Sequence, residues 1–192
     1  MKRLSYLSAL SLIVFILFFY GCRSNDITKK AIEVIVDGDG QFPDFLAGRW
    51  KAAEGEWEFV FEPDGQISSA VVSIGRVTMK PAQTTTIQME LGGRGVFEPG
   101  LWTVQYFQDQ RRLIVEISID YFLTELGENT IQGKTRDLFI GTVSPDGTLW
   151  WSERFSYPEY TVNTEAYQNY KLPVDPDENP KESLLFEKES AE

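Results

Sequence analysis

The chain has 192 residues and carries 18 lysines and arginines against 29 aspartates and glutamates, a formal net charge of −11 at pH 7. A surface of that sign repels phosphate backbones, so we exclude nucleic acid as a partner. The chain has no histidine, which excludes histidine-based catalytic triads and histidine-liganded zinc or copper sites.

The first 22 residues have the pattern of an export signal. Lys2 and Arg3 precede an apolar run from Leu4 to Tyr20, which ends at Gly21-Cys22, and Cys22 is the only cysteine. As a helix the run would span roughly 26 Å, which is short of a hydrocarbon core about 30 Å thick. The segment resembles the signal peptides of bacterial lipoproteins. An uncleaved signal anchor and ordinary secretion with a free thiol are the alternatives.

The resemblance implies that Cys22 becomes the lipid-bearing N-terminus of the mature chain. The thioether would remove a thiol that otherwise forms intermolecular disulfides under oxidising conditions. Acyl chains contribute about 0.8 kcal/mol per buried methylene, so they hold a chain on a membrane without a spanning helix. Because Arg23 rather than aspartate follows the cysteine, the resemblance favours the outer membrane of the bacterial cell envelope.

After this signal, turn motifs separate short segments of alternating apolar residues, as in β proteins. Glu62-Pro63-Asp64-Gly65 and Ser144-Pro145-Asp146-Gly147 each combine a proline that presets φ with a glycine that accepts a left-handed conformation, which predicts two hairpins. Alternating apolar residues predict about eight strands. They are Arg49 to Ala53, Trp57 to Glu62, Gln66 to Ile74, Thr84 to Leu91, Leu101 to Phe107, Arg111 to Phe122, Thr130 to Val143 and Thr148 to Phe155.

Successive strands with short turns indicate an all-β fold, either an up-and-down barrel or a two-sheet sandwich. The stretch from Pro43 through Gly48-Arg49-Trp50 resembles the opening of lipocalin-like (calycin) barrels, where a short helical turn leads into a first strand with Gly-x-Trp. In that superfamily an arginine on the last strand packs over this tryptophan. The resemblance implies that Gly48, Trp50 and Arg154 are the structural residues that close one end of the barrel.

The inward strand positions supply the candidate ligand-binding residues, namely Phe59, Phe61, Trp102 and Tyr106. An eight-stranded barrel is just wide enough to hold one small apolar molecule or to be filled by its own side chains. We therefore expect first a membrane-anchored carrier of a small hydrophobic ligand. The alternative is a solid barrel that binds an envelope protein through its outer face. The wider inward set also includes Trp57, Val104, Val115, Ile117 and Ile119.

Catalysis is not expected, and no cofactor is implied. The one cysteine belongs to the signal, Ser-x-x-Lys does not occur, and the glycine-rich stretch 92–95 lacks the ending of a phosphate loop, so it predicts a hairpin turn. Paired carboxylates leave a carbohydrate-active protein as a third hypothesis. Glu54, Glu56 and Glu58 have a spacing of about 7 Å on a strand, within the range for glycoside hydrolysis, with Trp57 as a sugar platform. A solvated acidic face is the simpler interpretation.

Asp37-Gly38-Asp39-Gly40, with Asp44 downstream, offers oxygen ligands for calcium. The spacing fails the EF-hand pattern, and we interpret this stretch as a plain linker turn and predict no metal site.

Trp150-Trp151 is the one pair of adjacent tryptophans. Neighbouring strand residues point to opposite faces, so one tryptophan leaves the core face. We expect Leu149, Trp151 and Phe155 to point inward, which would place Trp150 with Ser152 and Arg154 on the outer face.

The resulting organisation is a signal peptide at 1–21, a linker at 22–42, the lipocalin-like domain at 43–157 and a C-terminal extension at 158–192. Glu159 to Tyr170 could form a short helix. Pro173 to Glu192 is rich in acids and proline, which predicts a disordered acidic tail. Leu184-Leu185-Phe186 within it is either a short docking motif or a chance apolar cluster.

Overall fold

A computed structural model describes residues 31–38, 40–72, 76–89, 93–163 and 181–190 of the chain. Apart from a 3₁₀ turn at Asp44–Leu46, the regular structure of these residues consists of strands, which confirms the all-β prediction. The strands are β1 Ile32–Val36, β2 Gly48–Ala52, β3 Glu58–Phe61, β4 Ile67–Val72, β5 Val77–Met79, β6 Thr85–Gln88, β7 Arg94–Pro99, β8 Trp102–Phe107, β9 Arg112–Leu126, β10 Asn129–Val143, β11 Leu149–Val162 and β12 Glu182–Lys188.

All twelve strands belong to one open sheet in the order β1-β8-β9-β10-β11-β12-β2-β3-β4-β5. The two long strands β9 and β10 pair with each other over most of their 15 residues. Because β9 is so long, one half of it pairs with β8 and the other half with β7, which in turn pairs with β6. The neighbours run antiparallel, except that β1 is parallel to β8.

The predicted closed barrel is wrong. The hydrogen-bonded order ends at β1 and β5, and no ladder between these two strands joins the ends in the described residues. The sheet instead curls strongly. Trp57 next to β3 and Phe139 on β10 meet edge to face with ring centroids 4.8 Å apart, although three strands lie between β3 and β10 in the sheet.

Both predicted proline–aspartate–glycine hairpins are confirmed. Gly65 has φ 83° and its amide donates to the carbonyl of Glu62, while Gly147 has φ 72° and bonds Ser144 in the same way. In the second turn the Asp146 carboxylate accepts from the Ser144 hydroxyl and from Thr148, and these hydrogen bonds lower the pKa of Asp146. The glycine-rich stretch 92–95, predicted to be a hairpin turn, is only partly turn. The Gly93 carbonyl accepts from the Met89 amide at 2.8 Å, whereas Arg94 and Gly95 already lie on β7.

The concave face of the sheet holds an aromatic core. The predicted inward residues Trp57, Phe59 and Phe61 are at most 2% exposed. Phe59 has its ring centroid 5.2 Å from Phe139 and 5.4 Å from Phe186. Aromatic side chains bury large areas and gain further from edge-to-face contacts, so this cluster is the main source of stability. The other predicted inward residues, Trp102, Val104, Tyr106, Val115, Ile117 and Ile119, are buried as well.

The chain is structured well outside the predicted domain limits of 43–157. The predicted tail contributes β12, which lies between β11 and β2 in the interior of the sheet. Leu184 and Phe186 are 4% and 0% exposed, so neither interpretation of Leu184-Leu185-Phe186 was correct. The composition of the tail predicted disorder. A strand that joins an existing sheet, however, needs only alternating apolar residues to bury one of its faces there. Similarly, β1 forms within the predicted linker 22–42.

The predicted short helix from Glu159 onward is wrong where the chain is described. Residues 159–162 continue β11 and pair with β10, and residues 164–170 lie outside the described ranges.

The orientation of the tryptophan pair is the reverse of the prediction. Trp150 is fully buried and Trp151 is 51% exposed, while Ser152 is buried on the inner face. Gly141 on β10 explains why Trp150 can point inward, because a Cβ at position 141 would lie only 2.6 Å from Nε1 of Trp150. The missing side chain thus leaves room for this indole, which stacks on Phe186 at 4.7 Å.

Arg154 does not pack over Trp50. Its guanidinium lies 5.0 Å from the ring centroid of Trp57, and Trp50 instead donates from Nε1 to the Leu46 carbonyl at 2.8 Å. The predicted helical turn before Gly48-Arg49-Trp50 is present at Asp44–Leu46. The arginine is misplaced because the last strand is β12, which separates β11 from β2.

Arg154 joins the three strands β10, β11 and β12. It bonds Asp137 at 2.7 Å and Glu182 at 2.6 Å, and the Asp137 side chain is only 3% exposed. Burial lowers the pKa of Arg154, but the charge of Asp137 and the hydrogen bonds that the guanidinium donates to Glu182 and Asp137 outweigh burial, so its pKa is raised above the ordinary value. The pairing therefore compensates a carboxylate that would otherwise be buried alone.

Removing only the arginine should therefore destabilise the fold strongly. We expect Arg154→Met to lower the free energy of unfolding by about 3–5 kcal/mol, because Asp137 is left buried and unpaired. The double variant Arg154→Met/Asp137→Leu should be more stable than Arg154→Met alone, as measured by urea unfolding. Arg49→Met, which removes the exposed pair with Glu58, should cost about 1 kcal/mol or less. A double variant less stable than Arg154→Met would contradict this account.

Candidate functional site

The four predicted ligand-binding residues lie in the packed core. Phe59, Phe61, Trp102 and Tyr106 are all 2% exposed or less. Trp102 donates from Nε1 to the Ser118 carbonyl, and burial raises the pKa of the Tyr106 hydroxyl, although Arg111 opposes this. Each of these side chains therefore has protein neighbours that occupy the space a ligand would need.

The predicted carboxylate group is not assembled. Glu54 and Glu56 lie in the turn between β2 and β3 rather than on a strand, and Glu58 pairs with Arg49 at 2.7 Å. Trp57, the predicted sugar platform, is 2% exposed and belongs to the core. The i, i+2 spacing assumed an extended strand, whereas the chain turns at 53–56.

The possible calcium loop lies just after β1. The Asp37 carboxylate accepts a hydrogen bond from the Gly38 amide at 2.9 Å, as in a plain turn, and Asp39 lies outside the described residues. No group of three or more histidine, cysteine, aspartate or glutamate side chains suited to a metal ion occurs in the described part of the chain. Cys22, the predicted lipidation site, also lies outside the described residues.

The candidate binding surface is the convex face of β8 to β12. Cross-strand partners share a face of a sheet, so the register arranges its residues in rows. The upper row runs Phe107, Arg112, Thr142, Trp151, Leu185. The middle row runs Gln105, Ile114, Ile140, Glu153, Ser183, and the lower row runs Thr103, Glu116, Leu138, Phe155. We call these three rows the outer face.

The outer face combines an exposed tryptophan with aliphatic neighbours. Trp151 is 51% exposed and is the largest exposed hydrophobic side chain in the described residues. Leu185 lies directly beside it on β12, and Ile140 and Ile114 are adjacent to each other in the middle row. These neighbours are only partly buried. An apolar surface with polar residues interspersed is typical of protein-binding sites.

Charges of both signs interrupt this apolar surface. Arg112 lies in the upper row and Glu116 in the lower row of the same strand, and neither forms an ion pair with another described residue. Glu153 pairs with Lys181 at 3.1 Å, and Lys181 lies 5.5 Å from the ring centroid of Phe155. The outer face is thus close to neutral in a chain that is strongly acidic overall.

Two adjoining grooves lie below the outer face, where a β-bulge shifts the register between Gly133 and Thr135. Their volumes are about 440 Å³ and about 550 Å³, and both are lined by Asp120, Lys134 and Glu159. Lys134 and Glu159 form an ion pair at 3.0 Å within them. Such open and charged grooves do not suit a small apolar ligand.

Sequence reasoning offered an outer binding face as an alternative but placed Trp150, Ser152 and Arg154 on it, because it assigned Trp151 to the core. The alternation of the side chains along β11 was recognised correctly. Which of the two alternating sets faces the core, however, depends on the neighbouring strands. The deciding feature is the register that sets Gly141 opposite Ser152, because an inward glycine leaves space for a large neighbour, and the sequence alone does not give that register.

No helix of the described residues is both long enough and apolar enough to cross a membrane. Comparison with known proteins gave no match to a family model, a curated protein or a solved structure.

Proposed function

We propose that this chain is an exported, lipid-anchored envelope protein that acts by binding another protein through its outer face, and not by catalysis. The observation that carries the proposal is the position of Trp151, half exposed on a convex sheet face among partly buried aliphatic residues. Tryptophan is among the residues that contribute most to protein–protein binding.

The division of the sheet into two faces supports a binding module. The concave face is filled by aromatic residues in mutual contact, including Phe59, Phe139, Trp150 and Phe186. Interiors packed in this way leave few spaces larger than a water molecule. A carrier needs an internal cavity of a few hundred cubic ångströms, so the filled core favours the interaction module over the carrier. The convex face then carries the recognition.

The proposed anchor would keep this module close to a membrane. Only eight residues separate Cys22 from Ala31, the residue preceding β1. A chain of nine steps reaches at most about 30 Å, so the start of β1 would stay within that distance of the lipid surface. Partners in or on the same membrane are therefore accessible to it.

Trp151→Ala should abolish partner binding while leaving the fold intact. As a surface change it should alter stability by about 0.5 kcal/mol, whereas Trp150→Ala, its buried neighbour, should cost about 3–5 kcal/mol. A photo-crosslinking residue placed at Trp151 in a bacterial envelope should capture a protein, and the same residue at exposed Thr78 on β5 should not. Capture that is unaffected when the other outer-face positions Ile140 and Leu185 are changed to serine would contradict the proposal.

Cys22→Ser should release the chain from the membrane. The wild-type chain should fractionate with membranes, and mass spectrometry of its N-terminus should show cleavage before residue 22 and added acyl chains. An N-terminus of unmodified mass in the wild-type protein would contradict lipid anchoring, without affecting the proposal for the outer face.

A further inference from the structure

We infer that the partner recognised by the outer face is a second copy of this chain, packed face to face about a two-fold axis. This inference rests on the proposed function, because it names the occupant of the same surface. It follows from the order in which charges and rings are placed along the strands.

The outer face is self-complementary about its middle row. The two-fold axis lies in the interface, runs along the middle row and crosses the strands at Ile114 and Ile140. Rotation about this axis places the upper row of one copy against the lower row of the other. Arg112 of one copy then meets Glu116 of the other, and the reverse pair forms at the same time. Both groups lack an ion-pair partner among the described residues, so the two new pairs use charges that the monomer leaves uncompensated.

The same operation pairs the aromatic residues. Trp151 in the upper row meets Phe155 in the lower row of the second copy, again twice, because both are on β11 and four residues apart. Lys181 already lies over Phe155 and would be close to the incoming indole. Ile114 and Ile140 meet their own counterparts on the axis. Isologous interfaces require this kind of self-matching surface.

One contact opposes the association. Glu153 lies in the middle row and would face its own counterpart. Its ion pair with Lys181 at 3.1 Å offsets that charge, so the repulsion is reduced. The near-neutral outer face also allows two strongly acidic chains to approach on this side, whereas an acidic side would repel its copy.

The expected interface is small. Because both outer faces are convex, contact should be concentrated on the central strands β9 to β11, which carry all of these paired residues. Three strands spaced about 4.8 Å apart and three rows of side chains give about 300 Å² per copy, or about 600 Å² in total, which is below the usual range for specific interfaces. Attachment of both copies to one membrane raises their effective concentration and compensates for a weak interface. The association should therefore be measured in membranes that contain the anchored chain.

Cross-linking in the envelope tests the inference. Ile140→Cys lies on the axis, and packed sheets are about 10 Å apart, so a short bismaleimide should join two copies into a species of twice the mass. The parent chain, whose only cysteine is Cys22, and a Thr78→Cys variant should stay monomeric. Arg112→Glu should reduce the cross-linked fraction about tenfold, Glu116→Arg should do the same, and the double swap should restore it.

The outcomes separate this inference from the proposed function. A self-cross-link restored by the double swap supports the two-fold arrangement. A self-cross-link that the double swap fails to restore overturns that arrangement. If Ile140→Cys gives no self-cross-link while the photo-crosslinking residue at Trp151 captures a different protein, the inference is overturned and the outer face remains a binding surface. If Ile140→Cys gives no self-cross-link and the photo-crosslinking residue at Trp151 captures no protein, both the inference and the proposed function are contradicted.

Discussion

The fold depends on the insertion of β12 between β11 and β2. This strand comes from the end of the chain, yet it links the two halves of the sheet and delivers Phe186 to the centre of the aromatic core, where it stacks on Trp150 at 4.7 Å. The ion pair between Arg154 and Glu182 fixes its entry into the sheet. Without β12, the β2–β5 segment would lose its ladder to the central strands and, in the described part of the chain, keep only the isolated bridge between Lys80 and Gln83, which joins β5 to β6. The concave face would also lose Leu184 and Phe186.

This insertion also determines which surface is available for function. β12 places alternate residues on the two faces, so Leu184 and Phe186 complete the core while Leu185 extends the outer face beside Trp151. The inner face is thereby committed to stability, because its residues contact one another. On the outer face, Arg112 and Glu116 form no ion pair with another described residue and the Trp151 indole is half exposed, so a molecule that covers this face can add contacts to all three.

Local sequence features predicted much of the fold. The two proline–aspartate–glycine turns, the inward set of β3, β8 and β9 and the position of most strands followed from φ preferences and period-2 alternation, which are properties of short segments. Non-local features were not accessible. The phase of β11 depends on Gly141 of β10, and the contact of Arg154 with Trp57 depends on a strand that arrives 28 residues later. The acidic composition around β12 predicted disorder. Composition alone does not show that alternating apolar residues can pair with strands formed elsewhere in the chain.

Native-state hydrogen exchange of the β12 backbone amides tests most directly whether this strand holds the sheet together. Amides in the interior of a sheet open only with global unfolding, whereas those of a flexible tail exchange almost freely. The account predicts that the amides of residues 184–188 are protected to the same degree as those of residues 137–141 in β10. Exchange of residues 184–188 at the rate of an unstructured peptide, with β10 still protected, would contradict it.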